Sequence, residues 1–287
     1  MTLPIFPFVL LVLAIVSSYL PSPEFFGRRM PIWVLMVTGS AITALLAGLL
    51  SPVATAVLAF FSLGVYVYSR YQTGWFRELF YAVLLILGHY LIFTDLPGVD
   101  RVPIYEDQLI GYSVFPQSLY LKYENSLLGA LVFCALSQRI RTLSQLKTVL
   151  IKAGKIPFLI AAYFSLGFAL WYGENIKINY NILQYFIVNL FFISLVDEVY
   201  FRTLVQKRIE QLLGTGEVES IYLAMVVTNI LFSISYYMLG VAIEEAVMIF
   251  AAGLIYGYAY GVTRSIEASI FTHFLIDALL ITCTVYQ

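Results

Sequence analysis

Charge is scarce in this chain: 11% of its 287 residues are Asp, Glu, Lys or Arg, against about 25% in an ordinary soluble domain. With 61% hydrophobic residues, the deficit argues against a soluble enzyme and predicts an integral membrane protein. The sixteen Lys and Arg form no basic stripe, so no nucleic-acid partner is expected. Cysteine is nearly absent too. Cys134 and Cys283 lie in apolar runs and fit neither a disulfide framework nor a zinc set, so both read as small buried hydrophobes. No positive n-region opens "MTLPIFPFVLLVLAIVSSYLPSPEFFGRR"; Arg28 and Arg29 follow its apolar stretch instead, which predicts a retained first span. No fixed-period repeat, Walker or dinucleotide loop, or evident Ser-His-Asp or Cys-His arrangement is present.

What the chain has in quantity is apolar runs near membrane-crossing length, which is roughly 17–25 residues. They fall near 3–20, 31–50, 53–69, 79–93, 126–142, 157–173, 182–201, 221–239, 241–262 and 266–284, the fifth being short before Arg139. The fold class is therefore an all-α polytopic membrane helix bundle of about ten spans. We divide it into N-terminal membrane helices, 1–178, and a helical core, 179–287. With the first connection cytoplasmic, that side collects Arg28, Arg29, Arg70, Arg77, Arg139, Arg141, Lys147, Lys152, Lys155, Arg202, Lys207, Arg208 and Arg264. Arg101, Lys122 and Lys177 remain outside, a bias that sets the orientation. The long external loop, 94–125, is acidic and compatible with a surface helix.

Intramembrane ionisable groups cost about 2.5–3.5 kcal/mol each on insertion scales, so they point to function. "SLVDEVYFRTLVQKR" places Asp197 beside Glu198, with Arg202 four residues on and able to pair with Glu198. Asp197 points about 100° away from Glu198. One salt bridge at a span's end needs one acid, not two. "SIEASIFTHFLIDALL" sets His273 and Asp277 four apart on one face. Asn229, Ser233 and Tyr236 form a polar stripe that alone reads as interhelical packing. Glu244, Glu245 and His89 read as structural or interfacial.

Counting brings these groups together. A hairpin closing at Thr215-Gly216 sets Asp197 opposite roughly residue 234, within a turn of Tyr236. A second hairpin at Arg264-Ser265 sets His273 at the level of Gly257. Gly253, Gly257 and Gly261 form a ridge of spacing four that lets two helices approach closely. Carboxylates beside a His, partly desolvated, suit general acid–base hydrolysis with water as nucleophile. One His among hard oxygens is a thin zinc set, so no metal and no cofactor is expected.

The order "DEVYFR", "FSISY", "HFLID" resembles the CAAX protease and bacteriocin-processing family (CPBP, or Abi) of intramembrane endopeptidases. Its pattern is EExxxR, then FxxxH on the next span, then HxxxN or HxxxD on the last. The resemblance covers roughly 180–285 and is strong in "FAAGLIYGYAYGVTRSIEASIFTHFLID". It implies a glutamic-type protease in which an acid activates water. Asp197 then takes the usually catalytic first acid position, Glu198 the second, Arg202 the supporting Arg, and His273 with Asp277 the oxyanion-side pair. Two departures stand out: Asp197 is one methylene shorter than Glu, and Tyr236 occupies the second-motif His position after Phe232. Tyr cannot act as a base near pH 7 but can donate a hydrogen bond. Either Asp197 or Glu198 works with His273 in an altered site, or activity is lost.

The expected function is an intramembrane endopeptidase, multi-pass, with its active site toward the cytoplasm. It would act within the lipid bilayer on a membrane-associated peptide or protein: a prenylated tail, a leader peptide or a sorting signal. The alternatives are a catalytically degenerate binding or chaperone partner and, with less support, a solute carrier. Carriers commonly show two related halves, whereas polar residues here crowd into the last third.

Overall fold

Every apolar run marked above contains a helix in the computed structural model, which describes residues 3–25, 28–71, 73–108, 117–168, 180–214 and 218–283. Among these residues, five helices are long and apolar enough to cross a membrane: Pro52–Arg70, Trp75–Phe93, Ile182–Leu213, Val218–Met238 and Ile243–Thr263. Phe6–Ser17, Ile32–Leu46 and Tyr123–Leu136 are apolar but shorter. Ile156–Phe168 and Ile266–Cys283 complete the apolar set. The ends of the sixth and tenth predicted spans, 169–173 and 284, lie outside the described residues, as do the Thr215-Gly216 turn, Lys177 and the Cys283 side chain. The protein is an all-α, polytopic membrane helix bundle.

The chain divides into two compact units: Met1–Val102 with Tyr120–Ser137, and Pro103–Leu119 with Gln138–Gln287. In the first unit, Tyr123–Leu136 is the central helix, with eleven of its fourteen residues buried. That span was marked as short because Arg139 interrupts it; it compensates by facing protein rather than lipid. It is tied to its neighbours by a shared hydroxyl contact: Ser40 Oγ donates to the Pro7 carbonyl (2.8 Å) and lies 3.1 Å from the Tyr123 hydroxyl. Phe8 meets the Tyr123 ring edge-on. Cys134 is buried and donates weakly to the Ala14 carbonyl, as expected of a small hydrophobe.

The acidic loop carries strands rather than a surface helix: Val102–Gln108 and Gln117–Leu121, with 109–116 outside the described residues. In the second strand Leu119 and Leu121 are buried while Ser118 is exposed, the period of two that marks a strand.

In the second unit, Leu143–Lys152 starts with a capping box, Thr142 and Gln145 bonding each other's backbone N–H, and buries none of its residues. Four long helices follow, and they hold the polar residues of interest. We refer to Ile182–Leu213 as the carboxylate helix, Val218–Met238 as the asparagine helix, Ile243–Thr263 as the glycine helix and Ile266–Cys283 as the histidine helix. The carboxylate helix runs 32 residues, about 48 Å, well past a hydrocarbon core of roughly 30 Å. It ends at Gly214, whose φ of 109° only glycine adopts without strain.

The carboxylate helix is not uniformly α-helical. Asn189–Ser194 and Val199–Gln206 are π-helical, separated by α-helical Leu195–Glu198. In an α-helix, residues four apart drift by about 40° around the axis. The wider π-helical turn reduces that drift, so Glu198, Arg202 and Gln206 stay on one buried side.

Candidate active site

Glu198 and Arg202 are both fully buried, at 0% exposure, and form the centre of the second unit. Arg202 Nε donates to Glu198 Oε2 at 2.7 Å, the pairing expected from their spacing. The rest of the guanidinium is satisfied as well. Nη1 donates to Gln206 Oε1 at 3.0 Å, both terminal nitrogens donate to Asn229 Oδ1 at 3.2 Å, and Nη2 donates to the Gly253 carbonyl at 3.3 Å. Gln206 in turn donates to the Gly257 carbonyl at 3.1 Å, and the Asn229 amide to the Met225 carbonyl at 2.7 Å. A buried ion pair is tolerated only when its remaining donors and acceptors are met, and here they are.

The glycine ridge explains how so polar a rod fits between helices. A Cβ on Gly257 would sit 2.8 Å from Met225 Cγ, 2.9 Å from Asn229 Nδ2 and 3.1 Å from Arg202 Nη1. One on Gly253 would meet Asn229 Oδ1 at 2.5 Å. The ridge therefore faces the asparagine and carboxylate helices, where it admits side chains as well as a neighbouring helix.

Glu198 also reaches the histidine helix. Its Oε1 accepts from His273 Nδ1 at 2.9 Å. Glu198, paired with Arg202, only accepts, so Nδ1 carries the proton. The Ser269 hydroxyl lies 2.5 Å from Glu198 Oε2 and 2.8 Å from the Tyr256 carbonyl. The His273 ring stacks flat on Tyr256, centroids 4.2 Å apart and planes at 11°. Its other nitrogen, Nε2, stands 3.4 Å from Asp277 Oδ2. That same oxygen accepts from Asn189 Nδ2 at 2.8 Å, and Asn189 Oδ1 accepts from Ser194 at 2.7 Å.

Asp197 faces elsewhere, as the 100° offset requires. Its Oδ2 accepts from the Tyr236 hydroxyl at 2.9 Å, and it is 4% exposed. Among the described residues no other side chain hydrogen bonds to it. Phe232 packs edge-on against both Tyr236 and His273, so it lies between the two arms of the site.

All six residues singled out in the sequence thus converge in two arms: Arg202–Glu198–His273–Asp277, and Asp197–Tyr236. The polar stripe of the asparagine helix divides its work, Asn229 going to Arg202, Ser233 to the Ala246 carbonyl and Tyr236 to Asp197. Four further residues were not singled out: Asn189, Ser194, Gln206 and Ser269. Spacing of four signals two of them, since Gln206 follows Arg202 and Ser269 precedes His273 by one turn. Asn189 and Ser194 depend on a π-helical stretch and a cross-helix contact that spacing does not show. Among the described residues, no three His, Cys, Asp or Glu side chains converge as metal ligands.

A family model, type II CAAX prenyl endopeptidase Rce1-like, matches residues 178–279. No curated protein and no solved structure matches the chain significantly. The matched residues contain all six side chains of the two arms and coincide with the region that carries the CPBP resemblance. Over this segment, which holds both arms of the site, the chain is similar to the type II CAAX prenyl endopeptidase Rce1-like family, in keeping with the CPBP resemblance of its motifs.

Proposed function

We propose that the protein is an intramembrane endopeptidase in which Asp197 activates the attacking water. The observation that carries this reading is the contrast between the two adjacent acids. Glu198 is held on one oxygen by Arg202 and Ser269 and on the other by His273, which commits it to structure. Asp197 has one oxygen on Tyr236 and the other without a side-chain partner among the described residues. A general base needs that free oxygen within reach of a water. Tyr236, as donor, fixes the orientation of the Asp197 carboxylate; it does the work of a hydrogen-bond donor in the position where the family pattern has His.

The peptide carbonyl polarises toward His273. Its Nδ1–H is committed to Glu198, but Nε2 sits 3.4 Å from Asp277, longer than the roughly 2.7–2.9 Å of a strong charged bond. With the ring as imidazolium between the Glu198 and Asp277 carboxylates, Nε2 carries a second proton and that edge donates to a developing oxyanion, which binds most tightly in the transition state. The bond broken is the peptide C–N; water supplies OH to the carbonyl carbon, and the proton taken by Asp197 passes to the leaving amine. The positive-inside bias supports a cytoplasmic opening, and the substrate is a membrane-associated peptide or protein.

The test uses purified protein in proteoliposomes with a panel of prenylated tails, leader peptides and sorting signals, cleavage being read by mass spectrometry. Asp197→Asn is expected to lower cleavage by about 10²-fold or more, the usual worth of a positioned base. Glu198→Gln and His273→Ala are expected to abolish it while the protein still inserts. Cleavage retained in all three sinks the assignment. Tyr236 favours a second reading, a binding protein that has lost catalysis. Tyr236→His that gains no activity over an inactive parent, while a partner remains bound, supports that one.

A further inference from the structure

We propose that Asn189 is a positioning residue of this site. By holding Asp277 Oδ2, it keeps that carboxylate from closing on His273 Nε2 and leaves the ring edge open to substrate. The proposal rests on the reading of His273 as the oxyanion donor. The geometry behind it is a competition for one oxygen: Asp277 Oδ2 is 2.8 Å from Asn189 Nδ2 and 3.4 Å from His273 Nε2. Asn189 is fully buried and is itself held by Ser194, which donates to its Oδ1 at 2.7 Å, and its amide also lies 3.2 Å from the Tyr185 hydroxyl. Its direction is therefore fixed, with the carbonyl end occupied and the amide end aimed at Asp277.

The position within the chain supports the same role. Asn189 opens the first π-helical stretch of the carboxylate helix, and Ser194 closes it, five residues on. Such turns are rare and frequent at functional sites. The wider turn brings the Ser194 hydroxyl back onto Asn189, so the local backbone and the side-chain pair support each other. The groups facing His273 from the surrounding elements are Glu198 on the carboxylate helix, Tyr256 on the glycine helix, Phe232 on the asparagine helix and Asp277 on its own helix. Of these, Asp277 is the one polar group placed within ion-pair distance of Nε2, and Asn189 holds the oxygen by which it does so.

The chain has two histidines, His89 and His273, which permits a direct reading. The protein in nanodiscs is labelled at its histidine ring nitrogens, and the spectra of the parent and of Asn189→Ala are compared. His89, in the other unit, reports intact folding. The expected result is a displaced His273 Nε2 signal, indicating a shorter bond to Asp277, with the His89 signal unmoved. In the cleavage assay kcat is expected to fall about tenfold to a hundredfold with KM nearly unchanged, up to the lower end of what losing one oxyanion donor costs. Where the alanine variant does not insert, Asn189→Leu keeps the side-chain volume and gives the same reading. A His273 signal that stays in place in a folded variant overturns the proposal. A parent that cleaves nothing overturns the protease reading instead, and the spectra still decide the positioning role.

Discussion

The two units bury their central helices by opposite means. Tyr123–Leu136 in the first is enclosed mainly through apolar packing, its buried polar groups among the described residues being Glu124 and Ser126 near its start and the hydroxyl contact among Ser40, Pro7 and Tyr123. The carboxylate helix of the second encloses a carboxylate, a guanidinium and two amides, all at 0% exposure. Apolar packing stabilises wherever it is placed; a buried ion pair contributes little net stability and depends on complete pairing. A chain with so few charges has put several of them where they are most costly. The difference marks the second unit as the one that holds the fully paired, fully buried ion pair.

Removing one partner from each centre is the strongest way to break the comparison. Arg202→Met takes the guanidinium from buried Glu198, leaving it Ser269 and His273, and strands the Gln206 and Asn229 oxygens that Arg202 held. A loss of about 3–5 kcal/mol is expected, the range for a broken buried pair, together with loss of cleavage. Ser40→Ala in the first unit removes a hydrogen bond whose acceptor is a carbonyl, for about 0.5–1.5 kcal/mol. Thermal unfolding in one detergent measures both. Equal losses would show that the polar centre is no more sensitive than the apolar one.

Glycine to alanine sharpens the contrast, because it should change sign between the units. At Gly257 the new methyl meets Met225, Asn229 and Arg202, three atoms at 3.1 Å or less, and none is a free end. Overpacking of this kind costs about 1–3 kcal/mol. At Gly39, within Ile32–Leu46, the nearest atom is Leu10 Cδ1 at 3.6 Å, an ordinary contact. There the helix preference for Ala over Gly, up to about 1 kcal/mol, is left unopposed. Gly257→Ala is expected to lower the melting temperature and Gly39→Ala to raise it or leave it unchanged.

Much of this was legible in the sequence because helices impose a period. Apolar runs located the helices, and spacing of four paired Glu198 with Arg202 and His273 with Asp277. Counting back from two turns placed Tyr236 against Asp197, which the hydrogen bond between them bears out. Other features have no such signature. The π-helical turns arise where the widened backbone lets the buried side chains find partners, and residue types alone do not encode that. The glycine ridge was legible as a site of close approach, but not as the passage for Arg202 and Gln206. Strands in the acidic loop were missed because the alternation at Leu119 and Leu121 spans too few residues to stand out as a period of two.

The smallest expected effect lies at Arg264, which joins the glycine and histidine helices. It adopts φ 60°, a left-handed conformation that costs a non-glycine residue roughly 1–2 kcal/mol. Against that, its guanidinium grips Glu210 with two parallel bonds of 2.6 Å. Arg264 remains 39% exposed, so solvent weakens the pair to about 1 kcal/mol or less. Arg264→Gly removes the pair and relieves the backbone together, and the two changes nearly cancel. A shift within about 1 kcal/mol is expected by chemical denaturation. Arg264→Ala keeps the strain and loses the grip, so it should be the less stable of the two. If glycine proves as costly as alanine, the ion pair is what ties the turn between the last two helices to the carboxylate helix, and the buried Glu210 belongs with Glu198 and Arg202 as part of the polar frame of this unit.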